Sequence, residues 1–433
     1  MRDALRGLTT RGRSFLAAGV SVFVAAVSLD TPDLLRIAVL LMALPLVSAW
    51  VVARTRYRLS SSRNLSSART PAGQESAVTL RLDNISRLAT GLLLVEDRVP
   101  YVLGSRPRFV LDRIEPRGHS EVTYLVRSDV RGHYQLGPLA IRLTDPFGMV
   151  ELQRSFSARD TLVVTPVVHT LPPARLAGEW TGSGESRARS VASAGEDDAA
   201  TREYHQGDDL RRVHWRSTAR RGQLMVRREE QPWQSRCTIL LDTRAIGHRG
   251  EGPASSFEWA VSAVASIGVH LVRSGYHVRL LTDTGGNVSS GGHEISDVGN
   301  DFEGSLLDAL AVVETSANTS CQDAATTLRR TGGDGLLVVV LGSMDAEEVR
   351  LFTRLRQGST VAVAVLLDTA TWAASAPVRR AGYDYDGAVD LLRASGWRVV
   401  KAHAGETIAD VWPEAGRRQH DAELTGAAPR TAR

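Results

Sequence analysis

Two long runs of uncharged, mostly apolar residues lie near the N-terminus of the 433-residue chain. One reads SFLAAGVSVFVAAVSL and the other reads IAVLLMALPLVSAWVVA, with the short segment DTPDLLR between them. Each run approaches the roughly 17–25 residues that cross the hydrocarbon core of a bilayer. The pattern predicts a transmembrane hairpin within residues 1–58, with spans at about 14–29 and 34–53. Because neither run contains an ionisable residue, we expect an anchor rather than a transport pathway.

Arginines flank this predicted hairpin on both sides. Four precede the first span and four follow the second, whereas the connecting segment carries two aspartates. By the positive-inside rule both flanks face the cytoplasm. This predicts a multi-pass protein of the cell membrane, with both termini and the soluble body cytoplasmic. An arginine-bearing start before one apolar run is also typical of a signal peptide, but the second run and the arginines behind it favour two spanning helices.

Beyond the hairpin the hydrophobic period changes to two. Val78, Leu80 and Leu82 alternate with polar residues, and similar alternation recurs at 122–126 and 139–143. Short alternating runs broken by Gly, Pro and Asn predict a small antiparallel β-sandwich-like domain over residues 59–170. Two turn segments within it read RGHYQLGPL and DPFG. Residues 171–200 are rich in Gly, Ser, Ala and charge without any period, which predicts a flexible linker.

From residue 236 onward, strand-like and helix-like patterns alternate. The runs CTILL, VRLL, LLVVVL and VAVAVLL suit strands that are buried on both faces. Ser255 and Glu258 have capping-box spacing at the start of a predicted helix that ends at Gly275, and Asp345 and Glu348 repeat the spacing. The alternation predicts a doubly wound, mostly parallel α/β sheet over residues 236–412. The aperiodic residues 413–433 are predicted to be a disordered tail.

The first predicted strand of this sheet ends at Asp242, at the edge where doubly wound sheets bind ligands. This stretch resembles the opening of a von Willebrand factor type A domain, whose adhesion motif Asp-x-Ser-x-Ser coordinates a metal ion. Here Arg244 and Ile246 replace the two hydroxyl residues, and Mg²⁺ requires oxygen ligands. We therefore expect a degenerate site at Asp242 that holds no metal, with the carboxylate satisfied by protein groups. The fold expected for residues 236–412 is von Willebrand factor type A-like.

Between the linker and the α/β sheet lies an arginine-rich segment, residues 201–235. Its core reads REYHQGDDLRRVHWRSTARRG. Asp208 or Asp209 can cap a helix that runs from Leu210 to Arg221 and ends at Gly222. In that helix Trp215 is expected on the buried side and the arginines on the other faces.

This segment resembles the signature of the bacterial family known as domain of unknown function 58. The turn segments, the paired spans and the type A-like sheet extend the resemblance over most of the chain, with Ser217-Thr218 a small departure. The resemblance implies an anchored cytoplasmic protein that assists a MoxR-type AAA+ ATPase in the assembly or maturation of other proteins. It implies no enzymatic activity and leaves the client protein unnamed. The matching signature residues are Arg202, Tyr204, Gly207, Asp208, Arg211, Trp215, Ala219 and Arg220.

Two interpretations of the arginine-rich segment remain open. It is either a structural network of arginines and carboxylates over a buried tryptophan, or a surface that docks another protein, for which Arg and Trp are well suited. A metal-dependent role for His205, Asp208, Asp209 and His214 is weakly supported, since the histidines lack helical ligand spacing. Phosphate or nucleic-acid binding fits the arginine density. The nearby carboxylates and the lack of repeated aromatic platforms oppose it, so no nucleic acid is expected.

Composition adds constraints on chemistry. The formal net charge is only +4, which does not indicate a nucleic-acid-binding protein. The two cysteines, Cys237 and Cys321, lie far apart and lack metal-ligand spacing, so neither a disulfide framework nor a zinc site is predicted. The sequence contains no GxxxxGK[ST] loop and no GxSxG elbow. We therefore expect no catalytic residue, no cofactor and no enzyme activity.

Overall fold

The computed structural model describes residues 7–54, 59–87, 89–144, 147–174, 201–203, 215–227, 236–286, 289–290, 293–294, 302–331, 335–355, 361–372 and 384–416. The chain divides into two compact units. The first comprises Met1–Val167 with Leu307–Val313, and the second comprises Val168–Leu306 with Glu314–Arg433.

The first unit begins with two helices, α1 (Thr10–Ser28) and α2 (Pro32–Arg54). They pack against each other closely at Gly19, where a Cβ atom would lie 2.6 Å from Met42 Cγ. Such small residues let two helix backbones approach each other. Within the described residues, one helix, over Pro32–Trp50, is long and apolar enough to cross a membrane. The predicted pair of spans is therefore seen as a helix pair in which only the second helix has the composition of a span. The first begins with Arg11 and Arg13, which lower its mean hydropathy.

Ten short strands follow among the residues of the first unit that the structure describes. They are β1 (Leu59–Leu65), β2 (Arg69–Pro71), β3 (Glu75–Asn84), β4 (Leu93–Asp97), β5 (Arg108–Leu111), β6 (His119–Arg127), β7 (Gly132–Leu136), β8 (Leu139–Thr144), β9 (Glu151–Ser155) and β10 (Asp160–Thr165).

These strands form three sheets, ordered β1-β3-β6, β2-β10-β7 and β5-β4-β8-β9. The alternation that predicted the domain is confirmed, because Val78, Leu80 and Leu82 all point into the core. Every described strand pair in this unit is antiparallel except β2 with β10, which is parallel. The period-two pattern specifies which face of a strand is buried, but it does not specify the direction of the neighbouring strand.

A buried polar network joins several of these strands. The Arg63 guanidinium donates two hydrogen bonds to the carboxylate of Asp97, at 3.2 and 2.8 Å, and a third to Asp160 at 2.6 Å. The Tyr124 hydroxyl also donates to Asp97, at 2.6 Å. Gly137, in the predicted RGHYQLGPL turn, lies against the same guanidinium, since a Cβ atom there would be 3.0 Å from Arg63 Nη2. A glycine is therefore required at this turn.

The second unit contains the arginine-rich segment and the α/β sheet. Its strands are β11 (Thr201–Glu203), β12 (Met225–Arg227), β13 (Arg236–Leu241), β14 (His277–Thr282), β15 (Ser289–Ser290), β16 (His293–Glu294), β17 (Leu336–Leu341), β18 (Val361–Leu367) and β19 (Arg398–Ala402). Its helices are α3 (Trp215–Arg221), α4 (Ser256–Arg273), α5 (Phe302–Val312, part of which groups with the first unit), α6 (Gln322–Thr331), α7 (Ala346–Thr353), α8 (Tyr385–Ala394) and α9 (Ile408–Val411).

The central sheet of this unit has five parallel strands in the order β14-β13-β17-β18-β19. The four apolar runs singled out in the sequence are β13, β14, β17 and β18, so the prediction of a parallel α/β sheet is confirmed. The chain winds outward from β13 in both directions. The point where the winding reverses therefore lies between β13 and β17.

The predicted helix ends also agree with the structure. The Ser255 side chain accepts a hydrogen bond from the Glu258 amide at the start of α4, and Gly275 follows its end with a positive φ of 83°. Asp345 and Glu348 form a complete capping box at the start of α7. The ordered chain extends further than predicted, because Trp412–Gly416 forms a 3₁₀ helix where the tail was expected to begin. Residues 175–200 of the predicted linker and 417–433 of the tail lie outside the described residues.

Candidate functional site at the carboxyl edge of the parallel sheet

The carboxyl ends of the parallel strands bring several polar side chains together. Asp242 follows β13 directly, Asp283 follows β14, and Ser343 lies two residues beyond β17. All three are buried. This is the point of the sheet where the strand order reverses, and it is where doubly wound sheets bind their ligands. We refer to the side chains gathered here as the strand-end cluster.

Arg244 occupies the middle of the strand-end cluster. Its guanidinium is fully buried and donates to both carboxylate oxygens of Asp242, at 2.9 and 2.8 Å. A further nitrogen pairs with Glu348, and the main-chain carbonyls of Ser343 and Thr319 accept at 3.2 and 3.5 Å. A guanidinium has five N–H donors and no acceptor, so it matches a site lined with oxygens.

The carboxylate of Asp242 has a full set of partners. Besides the guanidinium, it accepts from the main-chain amides of Arg244 at 3.0 Å and Gly342 at 3.1 Å. Burial raises the pKa of this carboxyl, but the hydrogen bonds and positive charge of Arg244 lower it more, so the pKa lies below its usual range. Burial lowers the pKa of the Arg244 guanidinium, and Asp242 raises it more. Both groups are therefore charged.

Glu348 has two roles in the cluster. One of its carboxylate oxygens accepts from the Asp345 amide at 3.1 Å and completes the capping box of α7, while the other pairs with Arg244. The sequence showed only the first role, because capping depends on residues three apart along the chain. The ion pair joins residues more than 100 positions apart, and no local pattern could reveal it.

A second carboxylate, Asp283, binds hydroxyl and amide groups. The hydroxyl of Thr243 donates to it, as do the Ser316 hydroxyl at 2.7 Å and the Asn318 amide at 3.0 Å. These contacts hold the segment after α5 against the end of β13, where Ala245 N also donates to the Ser316 carbonyl at 2.9 Å. Asp283 is thus satisfied by neutral donors, in contrast to Asp242.

His248 lies next to the strand-end cluster and forms hydrogen bonds with Asp242 and Ser256. Its Nε2 lies 2.8 Å from the Asp242 carbonyl, which can only accept, so this nitrogen carries the proton. Its Nδ1 accepts a hydrogen bond from the Ser256 hydroxyl at 3.2 Å, and the oxygen of that hydroxyl accepts from the Arg249 amide at 2.9 Å. Burial lowers the pKa of this histidine. The ring is therefore a neutral connector between the turn after β13 and the start of α4.

The turn after β13 fills the space above β17. A Cβ atom on Gly342 would lie 2.1 Å from the Gly247 carbonyl oxygen, and Ser343 N donates to that oxygen at 2.7 Å. Together with the Arg244 guanidinium, this turn occupies the place where a bound ligand would lie. Within the described parts of the chain, no group of three or more His, Cys, Asp or Glu residues is arranged to hold a metal ion.

The hydrogen bonds of the strand-end cluster agree with the expectation that protein groups satisfy the Asp242 carboxylate. The sequence indicated only that Arg244 and Ile246 replace the two hydroxyl residues of the metal-binding motif. The structure shows that the guanidinium itself is the cation of this site, because the oxygens of Asp242 and Glu348 bind it directly. Arg244 thus forms the centre of the site by pairing with the Asp242 and Glu348 carboxylates.

The arginine-rich segment is described only in part. Arg202 lies in β11, paired with Val226 of β12, and α3 is joined to β12 where Met225 N donates to the Thr218 hydroxyl at 3.0 Å. The helix ends before Gly222, whose φ is 71°, as predicted. Several predicted residues lie outside the described residues, namely Tyr204, His205, Gly207, Asp208, Asp209, Leu210, Arg211, Val213 and His214.

The expectation that Trp215 is buried is wrong. Trp215 is 69% exposed at the start of α3, and Ala219 and Arg220 are also exposed. Met225 of β12 is buried instead, and it provides this segment with an apolar anchor. The amphipathic pattern predicted that Trp215 lies on the buried face, although its angle around the helix places it one step from the apolar stripe. In the structure its large ring is exposed.

Comparison with known proteins supports the resemblance over part of the chain. Residues 200–366 match the sequence model of the family described as "Protein of unknown function DUF58". The matched stretch covers the arginine-rich segment and the α/β sheet as far as β18. No curated protein matches the chain at a significant level.

Three solved structures to which the chain is similar show low overall similarity. A CARDB domain from Pyrococcus furiosus is 11% identical with a TM-score of 0.20, and covers 25% of this chain and 93% of its own. The putative ApaA protein of Bordetella pertussis is 13% identical with a TM-score of 0.20, covering 25% and 94%. The sporulation control protein of Bacillus subtilis is 13% identical with a TM-score of 0.16, covering 24% and 49%. Likenesses this weak carry no conclusion about fold or function.

Proposed function

We propose that this chain is a membrane-anchored cytoplasmic scaffold that binds other proteins and assists a MoxR-type AAA+ ATPase in assembling or maturing protein complexes. The link to the ATPase rests on the family resemblance. The observation that carries the binding role is the strand-end cluster. The edge where a doubly wound sheet would bind a ligand is filled by Arg244 and the turn at Gly247. Because this position is filled, we propose that the α/β unit binds other proteins through its outer surfaces.

The α/β unit is further proposed to be a von Willebrand factor type A-like domain in which a guanidinium has replaced the metal ion. Two features support this. A carboxylate, Asp242, follows β13, and a hydroxyl residue, Ser343, follows the neighbouring β17. The Arg244 guanidinium donates to the Asp242 carboxylate and to the main-chain carbonyl of Ser343. A fixed cation makes binding by such a domain independent of dissolved metal.

Exposed apolar side chains on both N-terminal helices support the membrane anchor. A soluble protein rarely exposes a contiguous apolar surface of more than a few hundred Å². On α1 and on α2 as far as Trp50, where the side chains are described, twelve large apolar side chains are exposed. They are Phe15, Val20, Phe23, Val24, Val27, Leu35, Ile37, Val39, Leu40, Leu46, Val47 and Trp50. We infer that both helices cross the bilayer and that the soluble units lie on the cytoplasmic side, as the flanking arginines favour.

The exposed side of α3 is the proposed contact for the partner protein. Trp215 and Arg220 lie there, and tryptophan and arginine are the residues that most often dominate the energetics of interfaces. Their exposure favours the docking interpretation of the arginine-rich segment over the purely structural one.

Co-purification tests this proposal. Detergent-solubilised full-length protein is expected to retain a MoxR-type AAA+ ATPase from the same cell, and Arg220→Glu is expected to release most of it. Arg330→Glu is the matched control, since Arg330 is also an exposed arginine in the last turn of a helix, α6. Equal retention by the two variants would contradict the docking role of α3. Failure of the wild type to retain any such ATPase would contradict the proposed partner.

Phosphate or nucleic-acid binding is a second candidate function. Trp215, Arg220 and Arg221 are all exposed on α3, and tryptophan and arginine side chains can stack on bases and neutralise phosphates. Binding of this kind weakens steeply as salt rises, because counterions are released from the nucleic acid. Retention of single-stranded oligonucleotide at low salt that is lost in Trp215→Ala would favour this candidate over protein docking.

A further inference from the structure

The first unit contains a second contact between its helix pair and its β-sheets, besides the covalent link at residues 55–58. Residues preceding α1 pair with the segment that follows the DPFG turn. Thr9 N donates to the Met149 carbonyl at 2.9 Å, and Glu151 N donates to the Gly7 carbonyl at 2.8 Å. The Thr9 hydroxyl also donates to the Gly148 carbonyl, at 2.7 Å.

Apolar packing reinforces this pairing. Met149 and Val150 are buried in a small cluster with Ala49 of α2, with Leu8 and Leu152 at its edge. The end of the helix pair and the turn between β8 and β9 are therefore packed together. This packing holds the β-sheets against the end of the helix pair.

Gly148, which ends the DPFG sequence, lies level with Arg11, one of the arginines that flank the first span. A Cβ atom on Gly148 would be 3.6 Å from the Arg11 guanidinium. The uncharged run of α1 begins at Ser14, three residues further along, which corresponds to about 4.5 Å of helix. The interfacial region on each side of a bilayer is roughly 5–8 Å thick. With α1 in the membrane, the turn is thus at the depth of the lipid headgroups.

Residue positions along α2 place this end of the helix pair at the same depth in the bilayer. Gly19 of α1 packs against Met42 of α2. Arg11 precedes Gly19 by eight residues, and Trp50 follows Met42 by eight residues. In an antiparallel helix pair, Arg11 and Trp50 therefore lie at the same depth in the bilayer. Trp50 is half exposed there. Tryptophan is enriched at membrane interfaces, and arginine is attracted to anionic headgroups.

From this geometry we propose that the first unit touches the bilayer through a headgroup-facing patch made of Arg11, Arg13, Trp50 and Phe147. Phe147 belongs to the β domain, is 58% exposed and precedes Gly148, the residue that lies near the Arg11 guanidinium. Its ring enters the interface, while Arg11 and Arg13, both exposed, bind lipid phosphates. The β domain is thereby held against the membrane surface in one orientation. The proposal rests on the proposed membrane anchor.

Site-directed fluorescence in lipid vesicles tests this proposal. The full chain carries two native cysteines, both buried, so an introduced surface cysteine can be labelled selectively. Phe147→Cys, Tyr101→Cys and Val20→Cys are each labelled with bimane and reconstituted into phosphatidylcholine–phosphatidylglycerol vesicles. The vesicles contain lipids with a nitroxide quencher either on the headgroup or in the acyl chain. All three positions are exposed, so the labels leave the core intact, and circular dichroism verifies this.

Tyr101 is the matched control in the same domain. β4 pairs with β8 so that Leu93 lies opposite Leu143, near the turn, and Asp97 lies opposite Leu139, at the far end. Tyr101 follows Asp97 and is 91% exposed. Asp97 lies four residues from Leu93 along β4, which is about 14 Å at 3.4 Å per residue, so Tyr101 is a control from the opposite end of this strand pair. Val20, in the middle of α1, reports on insertion itself.

The expected result is loss of most of the Phe147→Cys fluorescence with headgroup quenchers, little loss at Tyr101→Cys, and strong quenching of Val20→Cys by acyl-chain quenchers. Equal quenching at positions 147 and 101, with Val20→Cys quenched, would overturn the patch and leave the anchor in place. An unquenched Val20→Cys would overturn the anchor and the patch together.

Discussion

Arg244 is a buried cation between two buried carboxylates, Asp242 and Glu348. Removing ions from water is costly, and the cost is offset only where geometry and additional hydrogen bonds are good. Here two main-chain amides also donate to Asp242 and two carbonyls accept from Arg244. The cluster is therefore expected to fix one arrangement of the strand ends.

Replacing Arg244 by methionine tests this cluster. The variant leaves Asp242 and Glu348 buried without their cation, and removing one partner of a buried pair costs about 3–5 kcal/mol. Urea unfolding of the detergent-solubilised chain, followed by tryptophan fluorescence, measures the change. Arg273→Met is the control, because it breaks an exposed pair with Glu303 and should cost less than about 1 kcal/mol. Equal losses of unfolding free energy in the two variants would show that the buried cluster contributes no more to stability than the exposed ion pair.

His248 predicts a dependence of stability on pH. Its pKa in the folded protein is lowered by burial, whereas an unfolded histidine titrates near about 6.5. As pH falls below that value the unfolded chain gains a proton that the folded chain does not, so stability decreases. We expect unfolding midpoints measured from pH 7.5 to 5.5 to fall less in His248→Gln than in the wild type. His277→Gln, at a partly exposed position, should follow the wild type; identical slopes in all three proteins would refute the assignment.

At the scale of elements, α1 is fastened to the β domain through Gly12 as well as through the pairing of Thr9 and Glu151. A Cβ atom on Gly12 would lie 2.5 Å from the Met149 carbonyl oxygen. No real Cβ contact is that short, so any larger residue must push the two segments apart. The glycine is needed for this close approach.

Gly12→Val is therefore expected to loosen this contact. Overpacking of this kind costs about 1–3 kcal/mol. Amide hydrogen exchange at Thr9 and Glu151, whose N–H groups cross the contact, should accelerate at least about tenfold, which corresponds to about 1.4 kcal/mol. Ala18→Val introduces the same side chain at an exposed position of α1 and should leave both amides protected. Unchanged exchange in Gly12→Val would show that the contact tolerates the added bulk.

Elements were predictable from the sequence where the pattern was local. Strands buried on both faces, such as β17, read as unbroken apolar runs, and the caps at Ser255 and Asp345 follow from short spacings. β19 (RVVKA) was not predicted, because two charges interrupt its apolar residues. The exposure of Trp215 could not be predicted either, since it depends on which neighbouring surfaces pack against α3.

At the scale of the whole molecule, the class of each unit follows from its hydrophobic period, but the candidate site does not. Asp242 and the replacement of its hydroxyl partners were visible in the sequence. The pairing of Arg244 with Glu348 was not, because it requires knowing that α7 and the turn after β13 meet at one edge of the sheet. We thus propose that the chain is a membrane-anchored binding protein in which the Arg244 guanidinium, instead of a metal ion, is the cation at the edge of the sheet.

A thermal melt with and without magnesium tests the claim that Arg244 takes the place of a metal ion. A ligand that binds only the folded state at a hundred times its Kd stabilises the protein by about 2.7 kcal/mol. The detergent-solubilised full chain is predicted to unfold at the same temperature in EDTA and in saturating Mg²⁺. A rise in melting temperature with Mg²⁺ that disappears in Asp242→Ala would contradict the claim.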